Sequence, residues 1–153
     1  MRQVAFVTGV TGMDGSHLAE LLLDKGYAVH GLVRRHSFAD PWRIRHLIGR
    51  VELHTGDLLD PAGLTSLLAL IQPTEVYNLA AQSFVKASFE IPAYTAEVTG
   101  VGALNLFEAV RAVCAPVTRI YQASSSEMFG DSTLSPQNED TPMHPVSPYG
   151  AAK

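Results

Sequence analysis

Tyr149 and Lys153 stand in a Y-x-x-x-K arrangement, and on a helix that spacing puts both side chains on one face. A phenol titrates near pH ~10 and is a poor base at neutral pH unless a neighbouring cation favours the phenolate; Lys153 is that cation. Upstream, the run Ser124-Ser125-Ser126-Glu127 supplies a hydroxyl, Ser125, able to hydrogen-bond the same substrate oxygen and share in its proton transfer. Taken alone, Tyr149 and Lys153 also read as an ordinary surface pair. What turns the reading toward catalysis is a second motif near the start of the chain.

That motif is Thr8-Gly9-Val10-Thr11-Gly12-Met13-Asp14-Gly15, a T-G-x-x-G-x-x-G string between an apolar β-rich run and a helical one. Glycines there allow a tight turn and close approach of backbone to a pyrophosphate, while the following helix N-terminus offers N–H groups and a positive dipole end. The spacing and its context predict a dinucleotide site built from Gly9, Thr11, Gly12, Met13, Asp14 and Gly15. At the end of the second β-rich run, where a site for NAD carries an acid, the chain has Arg34 and Arg35. Two guanidinium groups suit a 2′-phosphate, so NADP is the expected cofactor; the other reading is a solvated basic turn. Asp57 with Leu58 is placed to meet the edge of the adenine ring, although Asp57 also reads as a cap on the next helix.

These residues need a scaffold that brings loops from several strands to one end of a sheet. Five short β-rich runs, Val4–Thr8, Ala28–Val33, Val51–His54, Glu75–Leu79 and Arg119–Ala123, alternate with helix-length segments. Leu18, Leu21 and Leu22 give Ser16–Lys25 a helical stripe that stops at Gly26, and Leu64, Leu67, Leu68 and Ile71 give another over Pro61–Ile71 behind the cap residue Asp60. A third helix is predicted from Pro92 to Val113, with Gly100 and Gly102 marking close packing. Right-handed crossovers place helices on both faces, so the expected fold class is α/β: a doubly wound parallel sheet of the Rossmann type. Asp131 to Ser147, rich in Pro, Ser, Thr and acidic residues, reads as a loop, and the chain ends in what looks like the first turn of another helix.

Composition narrows the alternatives. The 153 residues are 46% hydrophobic and 17% charged, enough for an apolar core and too apolar for disorder. A net charge of −4 argues against a nucleic-acid surface, no apolar run reaches membrane-spanning length, and no signal-peptide pattern opens the chain, which makes the cytoplasm the expected compartment. The lone cysteine, Cys114, reads as a buried inert thiol. The six histidines show no metal-ligand spacing, His54 and His144 reading as strand-end and loop residues, so no metal is expected.

Along its whole length the chain resembles the extended short-chain dehydrogenase/reductases that modify nucleotide sugars. The likeness rests on the glycine motif, Gly56-Asp57-Leu58, Tyr77-Asn78-Leu79-Ala80-Ala81-Gln82-Ser83, Tyr121 to Glu127, and Ser147-Pro148-Tyr149-Gly150-Ala151-Ala152-Lys153. Narrower strings are Val10 to Ser16, Gly31-Leu32-Val33-Arg34-Arg35 and Ala93-Tyr94-Thr95-Ala96-Glu97-Val98. The resemblance implies a cofactor lining that includes Leu79, Ala80, Ala81, Ser83 and Tyr94 together with Tyr149 and Lys153, although much of Leu79–Ala81 equally reads as sheet core. It implies GDP-mannose as substrate. Tyr149, assisted by Ser125, would take the proton of the 4-hydroxyl while NADP takes hydride from carbon 4, and Glu127 would remove the carbon-5 proton as water leaves carbon 6. Glu127 otherwise reads as a solvent-facing carboxylate. Met13, Ser125 and Phe84 depart from the family's commoner glutamine, threonine and histidine, and the connection from Arg45 to Val51 is short. The resemblance further implies that residues 1–153 are an NADP-binding domain lacking its C-terminal substrate part, in a homo-oligomer whose contacts include His36–Trp42. The competing expectations are a related reductase or epimerase, and an NADP-binding fragment without turnover.

Overall fold

The computed structural model describes residues 3–35 and 42–153. Two compact units divide the chain: Met1–Ala80 with Ala103–Ala123, and Ala81–Gly102 with Ser124–Lys153.

The first unit is a five-stranded sheet of β1 (Val4–Thr8), β2 (Ala28–Val33), β3 (Glu52–Thr55), β4 (Glu75–Asn78) and β5 (Arg119–Gln122). The strands run in the order β3-β2-β1-β4-β5, and every pairing is parallel. Parallel neighbours cannot be joined by a tight turn, so the chain returns through helices: α1 (Met13–Asp24), α2 (Pro61–Ile71) and α5 (Gly102–Val113). Because side chains alternate along a strand, β1 feeds two cores: Ala5 and Val7 join Ala19, Leu22, Ile44 and Leu47, while Phe6 joins Leu64, Leu68, Val76, Leu106 and Ala109. This is the doubly wound arrangement expected from the sequence, with the strand order reversing between β1 and β4.

Local chemistry sets the helix ends. The Asp60 carboxylate accepts the Gly63 N–H at 2.9 Å and Pro61 opens α2, so that helix has the predicted bounds. Gly26, at φ +83°, follows α1 and its N–H returns to the Leu23 carbonyl. α1 itself begins at Met13, three residues before the start suggested by its leucines. Apolar spacing marks only the buried side of a helix and is silent over Met13-Asp14-Gly15.

Polar contacts at both ends of the sheet were not visible in the sequence. At the amino end, Glu75 is 7% exposed and its carboxylate accepts from the hydroxyls of Tyr27 and Tyr77 and pairs with the Arg119 guanidinium. Burial, then the bond to Glu75, pushes the Tyr77 phenol up to about 12. At the carboxyl end, the buried Thr8 hydroxyl donates to Asn78 Oδ1 at 2.6 Å and accepts the N–H groups of Leu79 and Ala80, each at 3.1 Å. Asn78 Nδ2 then donates to Gln122 Oε1 at 2.7 Å, so one chain of side chains crosses β1, β4 and β5.

The second unit contains two short helices, α3 (Val85–Glu90) and α4 (Pro92–Thr95), then a π-helical stretch Ala96–Val101, a 3-10 turn Ser126–Met128 and α6 (Pro148–Ala152). The single helix predicted over Pro92–Val113 is thus split into α4, the π stretch and α5, and α3 had no signal of its own. Thr95, fully buried, turns its hydroxyl back to the Ile91 carbonyl at 3.0 Å, and Thr99 accepts the Gln82 N–H at 3.1 Å. No helix among the described residues is long and apolar enough to cross a membrane.

Replacing Thr8 by valine keeps the shape and removes the hydroxyl, which leaves Asn78 Oδ1 and the Leu79 and Ala80 N–H groups without that partner. Urea unfolding is expected to show a loss of about 1–3 kcal/mol.

Candidate dinucleotide and proton-transfer sites

In the first unit the glycine motif occupies the turn from β1 into α1. Gly9 has φ +68°, and a Cβ there would lie 2.9 Å from Ala80 N and from the Leu79 carbonyl carbon. At Gly15 a Cβ would meet the Gly9 carbonyl oxygen at 2.2 Å, and at Gly12 the same oxygen at 3.1 Å. The Gly12 N–H closes the turn onto the Gly9 carbonyl at 2.9 Å. Gly9 and Gly15 are therefore required by crowding of backbone on backbone, and the loop leaves the first turn of α1 uncovered: Thr11, Gly12, Met13 and Asp14 are exposed. The first-turn N–H groups of a helix have no intrahelical acceptor, so an anion placed there gains hydrogen bonds and a favourable dipole. This cradle fits the pyrophosphate of a dinucleotide.

The other residues expected to line the cofactor are placed as follows. Arg34 and Arg35 follow β2 directly and are exposed. Asp57 Oδ1 accepts the Leu59 N–H at 3.0 Å, a local turn, and the cap of α2 is Asp60. Leu58 is 4% exposed and packs in the Phe6 core, with its carbonyl taken by Asn105 Nδ2 at 2.9 Å. Leu79 and Ala80 take the sheet-core role the sequence offered: their side chains pack against the two cores, and their main chain runs against Gly9. Of the segment His36–Trp42, residues 36–41 lie outside the described residues; Trp42 is 60% exposed with the Arg43 guanidinium 4.2 Å from its ring.

The second unit holds all four residues expected from the sequence to transfer protons, Ser125, Glu127, Tyr149 and Lys153. Ser125 caps the 3-10 turn, its hydroxyl accepting the Glu127 N–H at 3.2 Å. Ser147 caps α6 through the Gly150 N–H at 3.0 Å, and its hydroxyl donates to Glu127 Oε2 at 3.2 Å. A Cβ at Gly150 would meet the Glu127 carbonyl oxygen at 2.4 Å, so glycine is what lets α6 rest on the Glu127 main chain. Tyr149 is 8% exposed and the Lys153 ammonium lies 5.6 Å from its ring centre, which is the one-face arrangement expected of the spacing. Burial holds the Lys153 amine below its usual value. Ala81 is half-buried, whereas Ser83 and Tyr94 are exposed. Cys114, in the first unit, has its thiol pushed up by burial, the direction that disfavours a thiolate.

Ser147 is the contributor that motif reading missed. Its signal was present, a serine before a proline that opens a helix, but nothing along the chain links that cap to a carboxylate 20 residues earlier.

The sheet order, the glycine cradle and the Ser-Tyr-Lys set define a Rossmann-type protein of the nucleotide-sugar epimerase and short-chain dehydrogenase class. Among solved structures, the UDP-glucose 4-epimerase of Thermotoga maritima, crystallised with UDP-glucose, superposes with a TM-score of 0.86 at 27% identity over 99% of this chain and 48% of its own. The UDP-glucose 4-epimerase of Brucella ovis, in complex with NAD, gives 0.83 at 28% identity over 98% and 44%. The family model of GDP-mannose 4,6 dehydratase matches residues 6–153, and the chain belongs to that family. Similar curated proteins carry that name: 51% identity to the human protein over 99% of this chain and 43% of the relative, 53% to form 1 of Arabidopsis thaliana over 99% and 45%, and 49% to the Vibrio cholerae protein over 99% and 43%. The chain thus spans less than half the length of the curated relatives it matches.

Ser147→Ala removes both the cap of α6 and the hydrogen bond to Glu127. It is expected to lower stability by about 1 kcal/mol in urea unfolding, while Ser147→Thr, which keeps a hydroxyl, restores most of the loss.

Proposed function

We propose that the full-length protein is an NADP-dependent lyase converting GDP-mannose to GDP-4-keto-6-deoxymannose. The observation that carries this reading is the Glu127 carboxylate, tied to Ser147 and set within the same unit as Ser125, Tyr149 and Lys153. An oxidoreductase or epimerase needs only the last three; a second base is what an elimination adds.

The chemistry divides among these groups. Tyr149 takes the proton from the sugar 4-hydroxyl with the Lys153 ammonium beside its ring, and Ser125 hydrogen-bonds the same oxygen. NADP, when bound, supplies hydride acceptance from carbon 4 and later return of that hydride to carbon 6. A ketone at carbon 4 acidifies the neighbouring carbon 5, whose proton passes by way of Glu127 to the carbon-6 hydroxyl, which departs as water; once hydride is on carbon 6, carbon 5 regains a proton, the one Tyr149 took from the 4-hydroxyl. The residues that would hold the dinucleotide are Gly9, Thr11, Gly12, Met13, Asp14 and Gly15 for the pyrophosphate, Arg34 and Arg35 for a 2′-phosphate, Asp57 and Leu58 for the adenine, and Leu79, Ala80, Ala81, Ser83 and Tyr94 for the remainder. The NAD-bound Brucella ovis epimerase supports a dinucleotide here, and the paired arginines favour NADP over NAD.

Incubation of the full-length protein with GDP-mannose and NADP, followed by mass spectrometry, tests the reaction. Loss of one water is expected, with Glu127→Gln lowering that yield about 100-fold or more. An unchanged mass with an altered stereocentre would assign an epimerase instead. Arg34→Ser combined with Arg35→Ser is expected to weaken NADP at least about tenfold while leaving NAD little changed in fluorescence titrations, as loss of bidentate phosphate contacts requires.

A further inference from the structure

Away from these groups, the register of β2 with β3 sets His30 opposite Glu52 and Leu32 opposite His54, at one edge of the sheet. His30 Nδ1 and His54 Nε2 lie 3.0 Å apart and the two rings stack with centres 5.2 Å apart. Glu52 closes the group, one oxygen 3.6 Å from His30 Nδ1 and the other 3.8 Å from His54 Nε2. The imidazoles are only 16% and 15% exposed, whereas the glutamate is 68% exposed and free to adjust. One ligand atom from each of the three lies within 4.8 Å of the others.

We propose that His30, Glu52 and His54 form a binding site for a divalent transition metal of the zinc class, tying the two strands at this edge of the sheet. A tetrahedral zinc site, with Zn–N bonds near 2.0–2.1 Å, sets its donor atoms roughly 3.3 Å apart. The imidazole nitrogens, 3.0 Å apart, lie near that value, and the carboxylate meets one of them with each of its oxygens at 3.6 and 3.8 Å, so a bound ion requires the exposed glutamate to turn one oxygen toward both rings. Two imidazole nitrogens and one carboxylate oxygen are the donor types such ions prefer, and a fourth position stays open to water. Access is provided by a cleft of about 450 Å³ that His30 and Glu52 share with Gly49, Arg50 and Val51. Arg50, which lines it, is drawn to Asp24 at 3.7 Å. Neither histidine belongs to the proton-transfer set or the glycine cradle, so the site stands independently of the proposed reaction.

Calorimetric titration of the metal-free full-length protein with Zn²⁺ is expected to show one ion per chain and a rise in Tm, and Co²⁺ should give the visible absorption of a tetrahedral complex. His54→Ala and Glu52→Gln should each weaken Zn²⁺ by more than about tenfold, the least that even an outer-shell partner costs. Should His54→Ala fail to fold, Glu52→Gln at its exposed position decides alone. The proposal is overturned by absence of zinc binding up to millimolar concentration, or by binding that the folded variants leave undiminished.

Discussion

The hydrogen-bonded chain Thr8–Asn78–Gln122 is the contact on which the carboxyl end of the sheet depends. Parallel strands carry no side-chain register of their own at their carboxyl ends, where the ladder stops and the chains diverge into loops. In this protein two buried polar residues and their half-buried neighbour supply it. Thr8 and Asn78 are 0% and 1% exposed, so each of their polar atoms would cost a few kcal/mol if left without a partner. Satisfied, they lock three strand ends in one arrangement, and the same Thr8 oxygen gathers the N–H groups of Leu79 and Ala80.

That gathering explains the glycines. With the Leu79–Ala80 main chain drawn over β1, the following residue has backbone within 3 Å of where its Cβ would sit, and only Gly9 fits. Its carbonyl in turn crowds the start of α1, and Gly15 follows by the same logic. Two of the motif's glycines are thus consequences of how tightly the sheet end is closed, and the exposed first turn of α1 is what such closure leaves on the outside.

The second unit solves a different problem with similar economy. Short helices have little cooperativity of their own, and α6 has only five residues. Ser147 gives it a cap, and the same hydroxyl holds Glu127, while Gly150 removes the side chain that would keep the two segments apart. A carboxylate held by a helix cap has its orientation fixed by a structural necessity and needs no separate support.

By itself the sequence determined whatever depends on local spacing. The parallel α/β alternation, the bounds of α2, the turn into α1 and the shared face of Tyr149 and Lys153 all follow from periodicity, caps and glycine positions within a few residues of one another. Only tertiary structure decided the contacts that join distant segments: Thr8 to Asn78, Ser147 to Glu127, the Glu75 cluster with Tyr27 and Arg119, and the burial of Leu58 in a core. The π-helical stretch after α4 and the short α3 belong to the same class, since their apolar residues carry no period that separates them from an ordinary helix. His30 and His54 make the point most directly, being 24 residues apart with no motif between them. Their nitrogens meet because two strands pair in one register, and register is set by which faces the whole sheet must bury.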